Sequence, residues 1–325
     1  MKTRVAVLYG GRSGEHEISL RSARSIIDAL DRDRYEVSEI VISKEGKWSP
    51  RPISPEPDGN PGIDVVFPVL HGTFGEDGTV QGLLELAELP YVSAGVLASS
   101  ASMDKEVMKR LCRERGIPVV DYLTLNRGAV DPEFVASRLP FPVFVKPANL
   151  GSSVGITKAH DIAELRESLR IAAEYDSKII VERGIEGREF ECSVMGNEEP
   201  AAAVPCEILP SREFYDYEDK YLLNKAQIDL PAQLRSEETE EIQRLAVETF
   251  KAVGCEVMAR VDFLMSRTNG KIYVNEINTI PGFTSISMFP KMWEFAGVPY
   301  SQLLDRLIGY ALQRAETRRS TKYTR

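Results

Sequence analysis

Short apolar runs alternate with amphipathic stretches through the first hundred residues. The runs "TRVAVLYG", "YEVSEIVIS" and "DVVFPVL" have the length and composition of strands. Residues 15–30 and the stretch "GTVQGLLELAE" carry apolar positions at helical spacing. Strands that alternate with helices predict a parallel α/β unit. The intervening "SPRPISPEPDGNPG" holds five prolines, which cannot donate to a sheet, and therefore predicts a surface connection.

The pattern changes after a helix predicted to begin near Met103. The segments "FPVFVKP" and "SKIIVERG", with a helix over 161–175 between them, predict a small α+β unit. Strands near 189–195 and 200–205 and a helix over 237–253 follow. The strands "EVMARVDFLM" and "KIYVNEIN" come last and are joined by the turn "SRTNG". The aromatic stretch "PSREFYDYEDKYLLNKAQIDLP" has no clear period.

Composition narrows the class of protein. The chain has 325 residues, 43% hydrophobic and 27% charged, which suits a globular protein of two or three domains. A formal net charge of -9 argues against general affinity for nucleic acid or an anionic membrane. The N-terminal segment lacks the pattern of a secretory signal, and no apolar run has the length of a membrane span. The four cysteines and three histidines show no disulfide or zinc spacing, so we expect reduced thiols and a cytoplasmic protein.

Two neighbouring strands place polar side chains where a buried sheet would be apolar. Because side chains alternate across a strand, Arg260 and Asp262 share one face of "MARVDFLM", and Glu276 and Asn278 share one face of the next strand. If the strands pair across the short turn, these four side chains converge. Oxygen ligands at this density suit Mg²⁺. The alternative is a sheet with one solvated face and a cross-strand ion pair.

The turn after these strands favours the first interpretation. In "NTIPGFTSIS", Gly282 allows close approach of the backbone to a ligand, and the free N–H groups at the start of the following helix favour an anion. A metal ion, an arginine and an anion-binding turn together indicate charge neutralisation during phosphoryl or acyl transfer.

A second segment also has features of a phosphate site. Lys146 ends a strand, and the loop after it contains Gly151, Ser152, Ser153 and Gly155. The loop supplies backbone donors, but it lacks the GxxxxGK[ST] spacing of a Walker A loop. Considered alone, such a loop is more often a simple hairpin turn than a nucleotide site.

Two N-terminal segments carry further candidates. The glycines of "YGGRSGEHEISLRSA" do not form GxGxxG, so a dehydrogenase is disfavoured. Glu15 opens the following helix, where it either complements the helix dipole or holds a substrate cation. His71, in "HGTFGEDGTVQGLLE", follows an apolar strand at the edge where open α/β sheets bind ligands, although a structural histidine is the simpler interpretation.

Seven segments in this order resemble the D-alanine:D-alanine ligases of the ATP-grasp superfamily. They are "GGRSGEHEISL", "HGTFGEDGTVQGLLE", "SMDK", "VKPANLGSSVGI", "EFYDYEDKYL", "ARVDF" and "NEINTIPGFTSIS". The resemblance implies a three-domain fold of α/β and α+β units. An N-terminal parallel, Rossmann-like α/β substrate domain would occupy 1–104 and a central small domain 105–188. A C-terminal catalytic domain would occupy 189–325, with a lid loop at about 208–230.

The resemblance also implies the nucleotide and metal residues. Lys105 and Lys146 would contact the ATP phosphates, with Ser153 in the adjoining loop. Asp262, Glu276 and Asn278 would hold two Mg²⁺ or Mn²⁺ ions. The other nucleotide residues would be Glu182 and Ile185 at the adenine edge, Glu189 on the ribose and Lys220 on the transferred phosphate.

In the resembling family, one D-alanine is phosphorylated on its carboxylate and the amine of a second attacks the acyl phosphate. Arg260 and the Gly282 N–H would stabilise the tetrahedral oxyanion. Of the remaining substrate residues, Glu15 would take the ammonium group of the first D-alanine, and Ser287 with the Met288 N–H the carboxylate of the second. Ser152 and Tyr221 would hydrogen-bond with Glu15, and His71 would be a further substrate residue.

The expected function is ATP-dependent synthesis of D-alanyl-D-alanine for peptidoglycan precursors. The alternatives are a ligase with a D-serine or D-lactate acceptor, and a non-catalytic nucleotide-binding regulator. Tyr221 in "DKYL" favours D-alanine, since relatives that use D-lactate lack the matching tyrosine. The resemblance further suggests a homodimer and leaves activation by a monovalent cation open. Ser93 departs from the glycine common in the family and is expected to tighten its loop.

Overall fold

The N-terminal sheet of the computed structural model is parallel, as the alternation of strands and helices predicts. The structure describes residues 1–209 and 227–322. The strands lie in the order β3-β2-β1-β4, with β1 parallel to β2 and β4 and the short β3 antiparallel at the edge. They are β1 (Thr3–Gly10), β2 (Tyr35–Ile42), β3 (Trp48–Ser49) and β4 (Val65–Val69), with α1 (His16–Ala29) and α2 (Thr79–Leu86) packed nearby.

A helix that the sequence pattern did not predict follows this sheet. It is α3 (Val96–Met103), and its small residues Ala and Ser give only weak apolar periodicity. The next helix, α4 (Lys105–Glu114), begins close to the expected position. Asp104 caps it, because its carboxylate accepts the N–H groups of Glu106 and Val107, both at 3.1 Å.

The second sheet is antiparallel and lies in the middle of the chain, with the strand order β5-β8-β6-β7. Its apolar face packs beneath α6 around Val143, Val145 and Leu165. The elements are β5 (Tyr122–Asn126), α5 (Pro132–Arg138), β6 (Val143–Pro147), β7 (Thr157–Ala159), α6 (Ile162–Tyr175) and β8 (Lys178–Arg183).

The third sheet carries the polar strand pair. Its order is β12-β11-β9-β13-β14, with β10 beside β9 and all pairings antiparallel. The strands are β9 (Gly187–Gly196), β10 (Ala201–Ala202), β11 (Cys206–Leu209), β12 (Gln227–Asp229), β13 (Val257–Ser266) and β14 (Ile272–Asn278), and the helices are α7 (Ser236–Ala252), α8 (Met288–Phe295) and α9 (Tyr300–Arg319).

One apolar core joins the first sheet to the last helices. Phe67 of β4 meets Phe283 edge-on with 5.8 Å between ring centroids, and Phe283 also contacts Phe289 of α8. Arg314 of α9 is buried and donates to the carbonyl oxygens of Ser93 (2.6 Å) and Tyr91. These contacts fix the turn that carries Gly282 against the N-terminal sheet.

Other expectations from composition can be compared directly with the structure. The four cysteines are free and buried, as expected for reduced thiols. In the part of the chain that the structure describes, no helix is both long and apolar enough to span a membrane.

Candidate active site

The register of β13 and β14 brings the four predicted side chains together. Arg260 pairs with Asn278 and Asp262 with Glu276, so all four lie on one face of the sheet. On the opposite face Val261 and Phe263 are fully buried in the core. The polar convergence predicted from the alternation of side chains is confirmed.

Arg260 and Asp262 form a bidentate ion pair. The Nε–Oδ1 and Nη2–Oδ2 distances are both 2.7 Å. Glu191 of β9 adds a second carboxylate at 3.3 Å from Arg260 Nε. Burial lowers the pKa of Arg260, but the charges of Asp262 and Glu191 outweigh it and raise that pKa well above its ordinary value. The guanidinium is a permanent cation in a largely enclosed site.

The donor set of this face fits a hard cation whose remaining ligands come from phosphate. Among residues 1–209 and 227–322, no three His, Cys, Asp or Glu side chains gather closely enough to hold a metal by themselves. The third oxygen-bearing side chain on this face, beside Asp262 and Glu276, is instead the amide of Asn278. The buried Oδ1 of Asn278 has no hydrogen-bond partner among the described residues. Such an oxygen is costly unless it is coordinated, and Mg²⁺ accepts this ligand type.

A β-bulge changes the direction of one more side chain. The register shifts between Asp262 and Phe263, so that Phe263 pairs with Val274 and leaves Asn275 as the extra residue. Asn275 and Glu276 consequently line the same cavity although they are consecutive. Simple alternation could not predict this position.

A cavity of about 720 Å³ lies between the second and third sheets. Its walls contain every predicted nucleotide residue of the described chain together with two predicted metal ligands. These are Lys105, Lys146, Ser153, Glu182, Ile185, Glu189, Asp262 and Glu276. The glycine–serine loop covers one side, where Ser152 (φ 54°) and Ser153 (φ 57°) both adopt the left-handed conformation. Consecutive non-glycine residues in this region are unusual and concentrate at ligand sites.

Charged groups in and behind the wall of this cavity form a network around Glu182. Its Oε2 accepts from Lys146 Nζ at 2.6 Å, and its Oε1 lies 2.9 Å from Lys109 Nζ. Burial alone would raise the pKa of Glu182, but the two lysines lower it to about 2. Lys105 Nζ donates to the carbonyl oxygen of Leu150 at 2.6 Å, and burial lowers its pKa. Lys109 was not among the predicted residues.

A second cavity of about 350 Å³ adjoins the first and is bounded by the N-terminal unit and the third sheet. Its walls hold the predicted substrate residues Glu15, His71, Ser152, Arg260, Gly282, Ser287 and Met288, together with Asn278. Six residues line both cavities, and three of them are predicted site residues: Lys105, Ser152 and Glu276. Groups bound in the two cavities therefore meet at the polar face of β14.

His71 links the N-terminal sheet to the turn after β14. Its ring is 5% exposed, with Nδ1 3.0 Å from the Ile280 carbonyl oxygen and Nε2 3.2 Å from Ser22 Oγ. Ser22 Oγ also accepts the Phe283 N–H at 3.2 Å. Burial lowers the pKa of His71. A neutral ring, donating from Nδ1 and accepting at Nε2, satisfies all three contacts.

The acidic wall of the smaller cavity contains Glu15 and a residue that was not predicted, Glu76. Glu15 stands at the N-cap of α1, and a Cβ at position 72 would lie 2.9 Å from its Oε2. Glu76 accepts the Gly72 N–H at 2.6 Å and faces the Ile280 N–H at 3.4 Å. Burial, and then the charge of Glu15, raise the pKa of Glu76 to about 8.

Gly282 and Ser287 are in close contact at the opposite wall. A Cβ at position 282 would lie 2.7 Å from Ser287 Oγ. That oxygen also lies 3.0 Å from the Thr284 nitrogen and 2.8 Å from Thr284 Oγ1. Ser287 is the N-cap of α8, and Ser287 and Met288 both line the cavity, so the start of this helix lies at its wall.

The last three residues singled out in the sequence are Lys220, Tyr221 and Ser93. Lys220 and Tyr221, with most of the expected lid, lie outside the described residues. Ser93 is buried outside both cavity walls, where its carbonyl oxygen receives Arg314.

Three sheets with a large cavity between the last two, and a smaller cavity toward the N-terminal sheet, define the class as an ATP-grasp enzyme. The family model "D-ala D-ala ligase N-terminus" matches residues 4–61 and 54–94, and "D-ala D-ala ligase C-terminus" matches residues 111–309. The chain belongs to the D-alanine–D-alanine ligase family.

Individual relatives resemble the chain over its whole length. A D-alanine–D-alanine ligase of Solibacter usitatus is 64% identical over 325 residues and is covered completely, as is this chain. The ligase structure from Coxiella burnetii is 39% identical with a TM-score of 0.88, covering 98% of this chain and 96% of that one. The VanG D-Ala:D-Ser ligase of Enterococcus faecalis is 36% identical with a TM-score of 0.87, covering 96% and 100%.

Proposed function

We propose that this protein joins two D-alanine molecules in an ATP-dependent reaction that supplies D-alanyl-D-alanine to peptidoglycan synthesis. One observation supports this proposal more strongly than the others. The larger, lysine-lined cavity and the smaller, acid- and arginine-lined cavity share Glu276, Lys105 and Ser152. A nucleotide phosphate and a substrate carboxylate can therefore meet where the two cavities join.

The larger cavity is proposed to hold ATP. Lys105 and Lys146 would contact its phosphates and Ser153 would lie in the covering loop. Glu182, together with the backbone near Ile185, is assigned to the adenine, and Glu189 to the ribose. The cavity volume of about 720 Å³ is within the range of cofactor pockets.

Asp262, Glu276 and Asn278 are proposed to hold two Mg²⁺ or Mn²⁺ ions. When bound, the ions would neutralise phosphate charge during transfer. The support is the single face shared by these residues and the unpartnered Oδ1 of Asn278 within the described chain.

The smaller cavity is proposed to hold the two amino acids. The carboxylate of Glu15 suits the ammonium group of the first D-alanine, and His71 would shape the wall beside it. Ser287 and the Met288 N–H suit the carboxylate of the second D-alanine because a helix start favours an anion. Ser152 would support Glu15, since a Cβ on the preceding Gly151 would lie 3.6 Å from Glu15 Oε2.

The reaction then follows from the placement of these groups. A carboxylate oxygen of the first D-alanine bonds to the γ-phosphorus of ATP, and the bond from that phosphorus to ADP breaks. The amine of the second D-alanine attacks the acyl carbon, loses a proton, and phosphate leaves. Arg260 and the Gly282 N–H would face the oxygen that becomes negative in this second step. Fixed donors in an enclosed site stabilise such an oxygen without reorganisation.

Acceptor choice separates the leading proposal from a related one. Similarity to a protein named as a D-Ala:D-Ser ligase makes D-serine the second candidate acceptor. We retain D-alanine because the family ligase relatives are similar along the full chain and Tyr221 is present. A non-catalytic regulator is disfavoured because Arg260, Asp262, Glu276 and Asn278 are all present on one face.

A coupled assay tests the proposal. Phosphate release from ATP with Mg²⁺ should depend on D-alanine, and mass spectrometry should find D-alanyl-D-alanine. The same assay with D-alanine plus D-serine or D-lactate should give little mixed product at equal concentrations. Product formed mainly with D-serine or D-lactate would establish the alternative acceptor, and ATP binding without turnover would indicate a regulator. Light scattering would test the proposed homodimer.

A further inference from the structure

A lysine that touches neither cavity lies behind the wall of the larger one. Lys109 follows Lys105 by one helical turn on α4, and its side chain is fully buried. Lys105 lines both cavities, whereas Lys109 lines neither. No direct contact with the nucleotide is therefore expected of Lys109.

The ammonium group of Lys109 links α4 to two strands, β8 and β14. It lies 2.9 Å from Glu182 Oε1 on β8 and donates to the carbonyl oxygen of Asn275 on β14 at 3.2 Å. Lys146 on β6 meets the same two residues from the cavity side, with Nζ 2.6 Å from Glu182 Oε2 and 3.4 Å from Asn275 Oδ1. Glu182 thus uses one oxygen for each lysine.

Packing alone does not account for a lysine at this place. A buried ammonium group is costly, and a methionine of similar length would fill the same space without that cost. The distinctive contribution of Lys109 is its charge beside the carboxylate of Glu182, a residue that is only 2% exposed. Without that charge, the Glu182–Lys146 pair loses a fixed partner on its inner side.

We propose that Lys109 is a positioning residue of the nucleotide cavity, which holds the Glu182 carboxylate in place and, through it, the Lys146 ammonium group that contacts phosphate. The inference rests on the proposed function of that cavity. It assigns Lys109 an effect on ATP binding, with little direct effect on the D-alanine sites.

Four variants test it: Lys109→Met, Glu182→Gln, the double variant, and Lys178→Met as a matched control. Lys178 also joins β8 to α4, through Asp104 (2.5 Å) and Glu106 (3.2 Å), but lines neither cavity. The Kd for Mg·ADP would be measured by calorimetry, and kcat and both KM values by phosphate release. Lys109→Met should weaken Mg·ADP binding and raise the KM for ATP about tenfold, with a much smaller change in the KM for D-alanine.

The double variant asks whether Lys109 acts through Glu182. In the Glu182→Gln background, Lys109→Met should change the Kd for Mg·ADP less than about twofold. This comparison also holds if Lys109→Met alone does not fold, because the double variant lacks both buried charges. A loss of about tenfold in the Glu182→Gln background would overturn the proposal, whether or not Lys109→Met alone folds.

The pH profile supplies a result that a purely structural role would not produce. The charged or titratable groups around Glu182 are Lys105 and Lys109 on α4, Lys146 on β6, and Tyr122 on β5. Loss of Lys109 should raise the pKa of Glu182, since burial then meets less opposing charge. As pH falls from about 7 to 5, the KM for ATP should therefore increase more in Lys109→Met than in the wild type and Lys178→Met.

The outcomes separate this inference from the proposed function. If the wild type binds Mg·ADP but makes no dipeptide, the function fails while the binding data still test Lys109. If Lys109→Met lowers only thermal stability, as Lys178→Met is expected to do, and leaves nucleotide affinity unchanged at every pH, Lys109 is a structural residue and the inference is wrong.

Discussion

Arg260 and Asp262, two positions apart on β13, face each other through two parallel hydrogen bonds of 2.7 Å. The pair joins the residue proposed to stabilise the oxyanion to one proposed to hold a metal ion. Its planar, two-point geometry also fixes the guanidinium beside the wall of the smaller cavity. The positive charge of Arg260 and the orientation of its guanidinium can therefore be tested separately by substitution.

Replacing Arg260 by lysine should keep the charge and lose the orientation. We expect kcat to fall on the order of 100-fold to 1000-fold, as when an oxyanion donor is removed, because an ammonium group cannot reproduce the fork. The KM for ATP should change much less. Steady-state kinetics with each substrate varied measures both effects.

Arg244 provides the matched control for this substitution. It forms a similar two-point pair with Glu241, at 2.9 and 2.8 Å, on the exposed surface of α7. Arg244→Lys should leave kcat unchanged. A normal kcat for Arg260→Lys would show that the guanidinium geometry has no part in catalysis.

Gly282→Ala should damage the reaction more than the fold. The new Cβ would lie 2.7 Å from Ser287 Oγ and displace either the turn or the serine, both proposed to contact reacting groups. We expect a reduced kcat and a raised KM for the second D-alanine. Gly309→Ala is the control, since a Cβ there has open space on α9 and alanine favours the helix by about 0.5–1 kcal/mol. Equal activities in the two variants would remove Gly282 from the site.

Glu276→Gln should raise the Mg²⁺ concentration that gives half-maximal activity. The substitution keeps the size of the side chain and removes one anionic ligand from the face shared with Asp262 and Asn278. Titrating activity with Mg²⁺ at saturating ATP measures the shift. Glu256 lies outside both cavity walls, so Glu256→Gln should leave the required Mg²⁺ concentration unchanged. An unchanged Mg²⁺ requirement and rate in Glu276→Gln would exclude a metal-binding role.

Glu76→Gln should make stability less sensitive to pH. In the folded chain the pKa of Glu76 rises from its ordinary 4.5 to about 8, so the folded protein retains a proton that the unfolded chain has released. Wild-type stability contributed by this group is full below pH 4.5 and is lost as pH rises through 8. The variant should therefore gain in Tm relative to the wild type between pH 5 and pH 8.

Exposed Glu36 offers the corresponding control for loss of a carboxylate charge. Glu36→Gln should show a Tm difference from the wild type that is nearly constant over this range. A constant difference for Glu76→Gln as well would mean that Glu76 is ionised in the folded protein throughout.

The parts of the site that the sequence predicted depend on local periodicity. Alternation along β13 and β14 is sufficient to place Arg260, Asp262, Glu276 and Asn278 on one face, because a short turn makes the strands neighbours. Glu191 could not be found this way. It reaches Arg260 only because β9, about 70 residues earlier, pairs with β13.

Buried charged residues were the second feature that could not be predicted from the sequence. Lys109 and Glu76 occupy positions where a lysine or a glutamate ordinarily faces solvent, and sequence alone shows neither their burial nor their partners. Helix α3 was missed for a different reason, since a run of small residues has weak amphipathic periodicity and is fixed by its neighbours.

The extra residue in β14 makes the length of this strand critical to both cavities. Asn275 meets Lys146 in the larger cavity and Asn278 lines the smaller one, while Glu276 reaches both. Removing a single residue between Ile272 and Asn275 would restore regular pairing and turn one set of these side chains into the core. Point substitutions can adjust either cavity separately, but a one-residue deletion here would disturb the strand that forms a wall of both.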